Sequence, residues 1–199
     1  MWSVAIFAVV LTSLGLASAS RAAEPAAVAK KAETCVPCHG PDGNSTNPLA
    51  PSLAGQPPLH TYYQLILFKL GRRQDPQMSP FAAIMSDDDM RDFADHFAAK
   101  PPKAFGGAVD PVKAEAGAKV SAAHHCGSCH TPTLGGQNHV PRLTGLSYEY
   151  LVKHLTAFKA QKRAETDMHM TMAAQPLTED DIEKLAHFLV DFGARSLSR

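Results

Sequence analysis

Apolar residues recur at helical spacing along much of this chain. Leu65, Leu67, Phe68 and Leu70 mark the buried face of a helix from Leu59 to about Leu70. Met90, Phe93, Ala94 and Phe97 do the same for a second helix, and Ile182, Leu185, Ala186 and Leu189 for a third. Strong start signals stand before the last two. Ser86 precedes Asp87, Asp88 and Asp89, and Thr178 precedes Glu179, Asp180 and Asp181. A hydroxyl there can accept from free backbone N–H groups, and acids suit the first turn of a helix. No alternating pattern of period two persists, so the predicted fold class is all-α.

One apolar run is of another kind. Val4 to Ala17 is interrupted only by Thr12, Ser13 and Gly15, and small residues follow up to Ala23. This predicts a signal peptide over 1–23, cleaved after about 19–23, although no Lys or Arg precedes the run. A retained anchor is the alternative, but the run is shorter than the ~20 apolar residues of a spanning helix.

The chain repeats itself. Cys35, Cys38 and His39 match Cys126, Cys129 and His130 at an offset of 91 residues. Pro51-Ser52-Leu53-Ala54-Gly55 matches Pro141-Arg142-Leu143-Thr144-Gly145 at 90, as do Phe68-Lys69 with Phe158-Lys159 and Arg73 with Arg163. Met78 and Met170 match at 92, as do Asp88-Asp89 and Asp180-Asp181. Each half therefore predicts a short helix into Cys-x-x-Cys-His, a Gly/Pro-rich loop, a helix, a Met-bearing loop and a capped helix. The Pro- and Gly-rich stretch 101–111 separates domain 1 (24–100) from domain 2 (112–199).

Composition narrows the chemistry. Basic and acidic residues balance at 19 each with no polybasic run, which argues against nucleic acid as a partner. Aromatic residues make up only 7%, thin for two ordinary cores, so a buried prosthetic group would serve as a staple. Two thiols separated by two residues can reach the two vinyl groups of one porphyrin, and the following His can reach its iron from the same turn. Two copies of that motif, each inside a matching repeat, predict two covalently bound haem c groups. Cys35 and Cys38 would attach one and Cys126 and Cys129 the other, with His39 and His130 as iron ligands. A thioredoxin-like dithiol lacks its βαβ setting, and a four-cysteine zinc site or disulfides leave both His residues unexplained.

The second axial ligand is expected to be Met, the usual companion of His in electron-transfer haems. Register selects Met78 and Met170, while Met168, Met172 and His169 stay open as rivals beside Met170. Met85 and Met90 read as core packing. The carbonyls of Pro51 and Pro141 are candidates to orient His39 and His130. Arg73 and Arg163 are candidates for haem propionates or a domain interface. The remaining His residues, with no His at the matching repeat position, are assigned no role.

The segment Cys35-Val36-Pro37-Cys38-His39-Gly40-Pro41-Asp42-Gly43-Asn44, followed by Pro51 to Gln56, Met78 and Ser86 to Met90, resembles class I cytochromes c. The tandem arrangement over about 26–194 resembles the cytochrome c4 family. That resemblance implies two class I domains with one His/Met haem each, related by a pseudo-twofold axis that brings the propionate edges close. It also implies a periplasmic electron-transfer protein rather than an enzyme, passing single electrons between a respiratory donor and a terminal oxidase or reductase. Loose association with a membrane surface stays open. The alternative is a haem-bearing subunit of a periplasmic dehydrogenase complex such as a flavocytochrome; a catalytic haem protein with an open sixth site is more distant. Two departures concern the halves. Only the second has a glycine, Gly117, in the helix ahead of its motif, and Thr131 to Gly136 lacks the Gly-Pro-Asp-Gly loop of the first.

Overall fold

A computed structural model describes residues 25–198. The expected signal peptide lies outside the described residues. In the first half, α1 (Pro25–Ala32) runs through a 3-10 turn (Glu33–Cys35) into α2 (Val36–His39). Then come α3 (Pro58–Lys69), α4 (Met78–Ile84) and α5 (Asp87–Ala98). The second half repeats the order with α6 (Pro111–Ala123), α7 (Cys126–His130), α8 (Tyr148–Lys159), α9 (His169–Ala174) and α10 (Glu179–Leu197). Among the described residues there is no strand, only an isolated bridge between Gln137 and Val140.

The start signals work as the residue types dictate. Ser86 Oγ accepts from Asp89 N while the Asp89 carboxylate reaches back to Ser86 N, and Thr178 and Asp181 do the same for α10. Residues 101–110 carry no regular structure, and the helix begins at Pro111, one residue inside the expected linker. Asp110 caps it by accepting from Val112 N and Lys113 N, and proline at the first helical position has no N–H to satisfy.

Core residues follow the helical spacing. Val28 and Ala32 of α1 pack on Phe93 and Phe97 of α5, with Leu53 and Met85 against them. In the second half Leu146, Tyr150, Leu151, Ala186, Leu189 and Val190 form one cluster, and Phe158, Leu177, Ile182 and Leu185 another. Met90 is 1% exposed, a core side chain as its place on α5 predicts.

The expected Met-bearing loops differ from the structure. Met78 opens α4, and Met170 lies in the first turn of α9. Side-chain carboxylates earlier in each connection accept from the amides there, which lets a short helix form where turn-rich sequence suggested irregular chain.

Candidate functional site

The two Cys-x-x-Cys-His segments sit on short helices, where positions three apart lie on one face. No disulfide joins any of the four cysteines. Burial pushes the Cys35 thiol up to about 11, helped by the neighbouring Cys38, and burial raises Cys126 as well. Neither is the low-pKa thiolate of a redox-active dithiol. Among the described residues no group of three or more His, Cys, Asp or Glu side chains is arranged to hold a metal ion, so the four-cysteine zinc alternative has no geometry behind it.

His39 and His130 are buried, at 5% and 4% exposure. His39 Nδ1 donates to the Pro51 carbonyl at 2.8 Å, and His130 Nδ1 donates to the Pro141 carbonyl at the same distance. Both prolines are those picked out by the repeat. Each carbonyl fixes the imidazole ring and its tautomer, leaving Nε2 with its lone pair free to meet a metal. Burial lowers the pKa of both imidazoles, more than the carbonyl bond raises it, which favours the neutral form that a metal requires.

Of the methionines, Met78 is half-buried, and Met170 is half-buried against Phe158, Leu177, Ile182 and Leu185. Met168 and Met172 are 53% and 69% exposed. His169 faces solvent and bonds Asp167, whose carboxylate also takes His139 Nε2 at 2.8 Å.

Between the halves lie three arginines, Arg142 buried and Arg73 and Arg163 half-buried. Arg73 stacks over Phe68 at 4.4 Å and Arg163 over Phe158 at 4.6 Å, the same geometry in each repeat. Arg73 donates to Gln64 Oε1 and, across the interface, to the Tyr150 hydroxyl at 3.4 Å. Burial would raise the Tyr150 phenol, but Arg163 and Arg73 beside it bring it below its ordinary value. Burial and the neighbouring Arg73 push Arg163 down to about 9. Burial pushes Arg142 down to about 10. A guanidinium keeps its proton at neutral pH, so these shifts register an unmet demand for negative charge.

The hydrogen-bond inventory says the same. Arg163 Nε, Arg142 Nε and Nη1, and His154 Nδ1 are buried without a partner. Among the described residues no carboxylate forms an ion pair with Arg73, Arg142 or Arg163. Cations without carboxylate partners and orphaned buried donors at the seam between two Cys-x-x-Cys-His halves fit groups that bring their own carboxylates, as the two propionates of a haem do.

The rest of the seam is largely backbone. Gln56 Nε2 donates to the Arg142 carbonyl and Gln56 Oε1 accepts from Arg142 N, both at 3.0 Å. Arg142 Nη2 donates to the Ala54 carbonyl at 2.6 Å, Ser147 Oγ to the Pro48 carbonyl at 2.6 Å, and His60 Nδ1 to the His139 carbonyl at 3.1 Å. Repeat comparison found Arg73 and Arg163 but missed Arg142, Gln56, His60 and Tyr150. Each of these has a different residue type at its matching position, which itself was the available signal.

Comparison with known proteins agrees with this geometry. A cytochrome c family model matches residues 114–192, and one described as cytochrome c oxidase, cbb3-type, subunit III matches residues 20–96. Cytochrome c4 of Thiocapsa roseopersicina is 34% identical over 87% of this chain and 95% of its own length. A thiosulfate dehydrogenase electron acceptor of Stutzerimonas stutzeri is 30% identical over 87% of this chain and 83% of its own. The crystal structure of reduced cytochrome c4 from Pseudomonas stutzeri superposes with a TM-score of 0.76 at 30% identity, over 83% of this chain and 97% of that one. With two cytochrome c domains and two covalently bound haem c groups, this chain belongs to the cytochrome c4 family of dihaem electron-transfer proteins.

Proposed function

We propose that this chain is exported to the periplasm under the direction of residues 1–23 and carries single electrons from a respiratory donor to a terminal oxidase or reductase. In this reading Cys35 and Cys38 attach the first haem, with His39 and Met78 on its iron. Cys126 and Cys129 attach the second, with His130 and Met170. When bound, each haem supplies a one-electron iron couple, and Met opposite His raises its potential.

The observation that carries the reading is the anion-seeking seam. Arg142 is buried and Arg73 and Arg163 half-buried where both halves meet, all three without a carboxylate partner among the described residues, and Arg73 and Arg163 share Tyr150. They would hold the propionates of both haems against one interface, so that the protein relays electrons between two centres within one molecule. The carbonyls of Pro51 and Pro141 keep both imidazoles neutral and aimed. Met170 is favoured over Met168 and Met172 by its burial against the α8–α10 core.

A second reading is favoured by the relative whose name states that it accepts electrons from thiosulfate dehydrogenase. This chain would then serve a periplasmic dehydrogenase, as its acceptor or as a haem-bearing subunit. Two measurements test the haem and ligand assignments that both readings share, and a third separates the readings. Denatured protein should retain two haems per chain in a pyridine haemochrome assay, and Met78→Ala and Met170→Ala should each abolish the near-infrared Met-to-iron band of one haem only. One haem or none, or an unchanged band, removes the ligand assignment. Purification from the native periplasm with a stoichiometric substrate-oxidising subunit would decide for the second reading over the first.

A further inference from the structure

The repeat offset is 90 through Arg73 and Arg163 but 92 at Met78 and Met170. The shift therefore falls in the short connection between them, and a carboxylate stands in that connection in both halves. Asp75 and Glu165 match at offset 90. Asp75 lies three residues before its methionine and Glu165 five before its own, so the second half carries two additional residues.

Both carboxylates bind the methionine's backbone. Asp75 Oδ1 accepts from Met78 N at 3.1 Å and from Gln77 N at 3.0 Å. Glu165 Oε2 accepts from Met170 N at 2.8 Å and Oε1 from Thr171 N at 2.6 Å. The extra methylene of Glu reaches across the longer connection, in which Met168 takes a left-handed conformation at φ 63°. Glu165 is buried, and both its oxygens are committed to these amides rather than to the nearby Arg163, with which it forms no ion pair among the described residues.

We propose that Asp75 and Glu165 are positioning residues for the axial methionines, and that Glu165 sets which of three neighbouring methionines faces the second haem. This rests on the reading of Met78 and Met170 as ligands. A thioether is a neutral, weakly held ligand, so its hold on iron depends on how closely the backbone confines it. Pinning the Met170 and Thr171 amides places Met170 inward and leaves Met168 and Met172 on the solvent side. Releasing the pin frees the short α9 turn to shift, and an outside ligand then competes more easily. The first half carries the weaker version, with one oxygen shared between two amides on a half-exposed Asp75.

The test is an imidazole titration of the oxidised dihaem protein, with the Met-to-iron band and each haem's absorption followed together. Glu165→Gln turns a donor NH2 toward one of the two amides. Leaving that amide unpaired should raise imidazole affinity at the second haem about tenfold and leave the first unchanged. Asp75→Ala, which removes the one oxygen shared by both amides, should act at the first haem by about threefold. Glu165→Asp keeps the charge but is too short to span the connection, so it should behave like Glu165→Gln. Rescue by Glu165→Asp would overturn the proposal in favour of charge compensation of Arg163, and so would unchanged affinity in Glu165→Gln with a full band. Should Glu165→Gln not accumulate with its haems, Asp75→Ala decides alone, and no change at the first haem counts against the proposal. A Met170→Ala protein that keeps its band would instead sink the ligand reading itself, whatever the carboxylate variants do.

Discussion

In the first half α5 stops at Ala98 after 12 residues, whereas α10 starts from the same register and runs for 19 residues to Leu197. The helix ahead of each haem motif differs in parallel. α1 rests on α5 through the side chains of Val28, Ala32, Phe93 and Phe97. α6 instead approaches α10 backbone to backbone at Gly117, where an added Cβ would lie 2.0 Å from the Lys184 carbonyl oxygen. After the motif the contrast reverses. Gly40 holds φ 81° in the first half, and Thr131 holds φ 70° at the matching position, kept there while its hydroxyl accepts from Gly135 N. One attachment chemistry is thus held by interdigitated side chains in one half and by close backbone contact in the other. The second arrangement tolerates less.

The largest expected effect tests that difference directly. Gly117→Ala should destabilise the second half by about 3 kcal/mol, because the new methyl meets backbone that cannot rotate away. Ala26, at the matching position of α1, is exposed, and Ala26→Ser should change stability by no more than about 0.5 kcal/mol. Denaturant unfolding of the holoprotein followed by circular dichroism checks both, and equal losses would break the comparison.

The caps should show the opposite, a shared feature. Ser86→Ala and Thr178→Ala each remove one partner of a reciprocal cap, and each should cost about 1 kcal/mol in the same unfolding experiment. A much larger loss for Thr178 would mean that the longer α10 depends on its start more than α5 does.

The smallest effect belongs to the first half alone. Lys103 of the connecting segment donates to Asp42 at 2.6 Å, and Thr133 stands at the matching place in the second half. That bond, with help from Asn44, holds the Asp42 carboxyl down to about 2, below its ordinary 3.8. A lowered folded-state pKa stabilises above the unfolded value, and the contribution disappears as pH falls from about 4 through 2. The pair is largely exposed, so screening keeps it under about 1 kcal/mol. Asp42→Asn should remove that acid-side slope, and 1 M salt should shrink it in the wild type.

Much of the site was legible because chemistry repeated. The two Cys-x-x-Cys-His motifs, the prolines that hold their imidazoles and the stacked arginines were visible as pairs at nearly constant offset. The methionine helices were not, because residues such as Gln77 and Thr166 give no helical periodicity; the order there comes from carboxylates bonding the amides. Those carboxylates were themselves overlooked, although Asp75 and Glu165 align and are both acidic, since a change of length between aspartate and glutamate hides a change of spacing. The seam was hardest to read. Gln56, His60, Arg142 and Tyr150 face Leu146, Tyr150, Ser52 and His60 in the repeat comparison, and nothing in a lone polar residue says which backbone carbonyl it will meet.

The Gln56–Arg142 clasp makes the two halves a lock and its key within one polypeptide. Gln56 on one side answers the backbone of Arg142 on the other, and the guanidinium of Arg142 returns to Ala54. Two copies of the first half would offer Gln56 the backbone of Ser52 but no guanidinium to return to Ala54, and two copies of the second would set Leu146, without a side-chain amide, opposite Arg142. Neither self-pairing rebuilds the clasp. The information that orients the halves is therefore divided unequally between them, and the segment joining them has only to keep the right partners within reach.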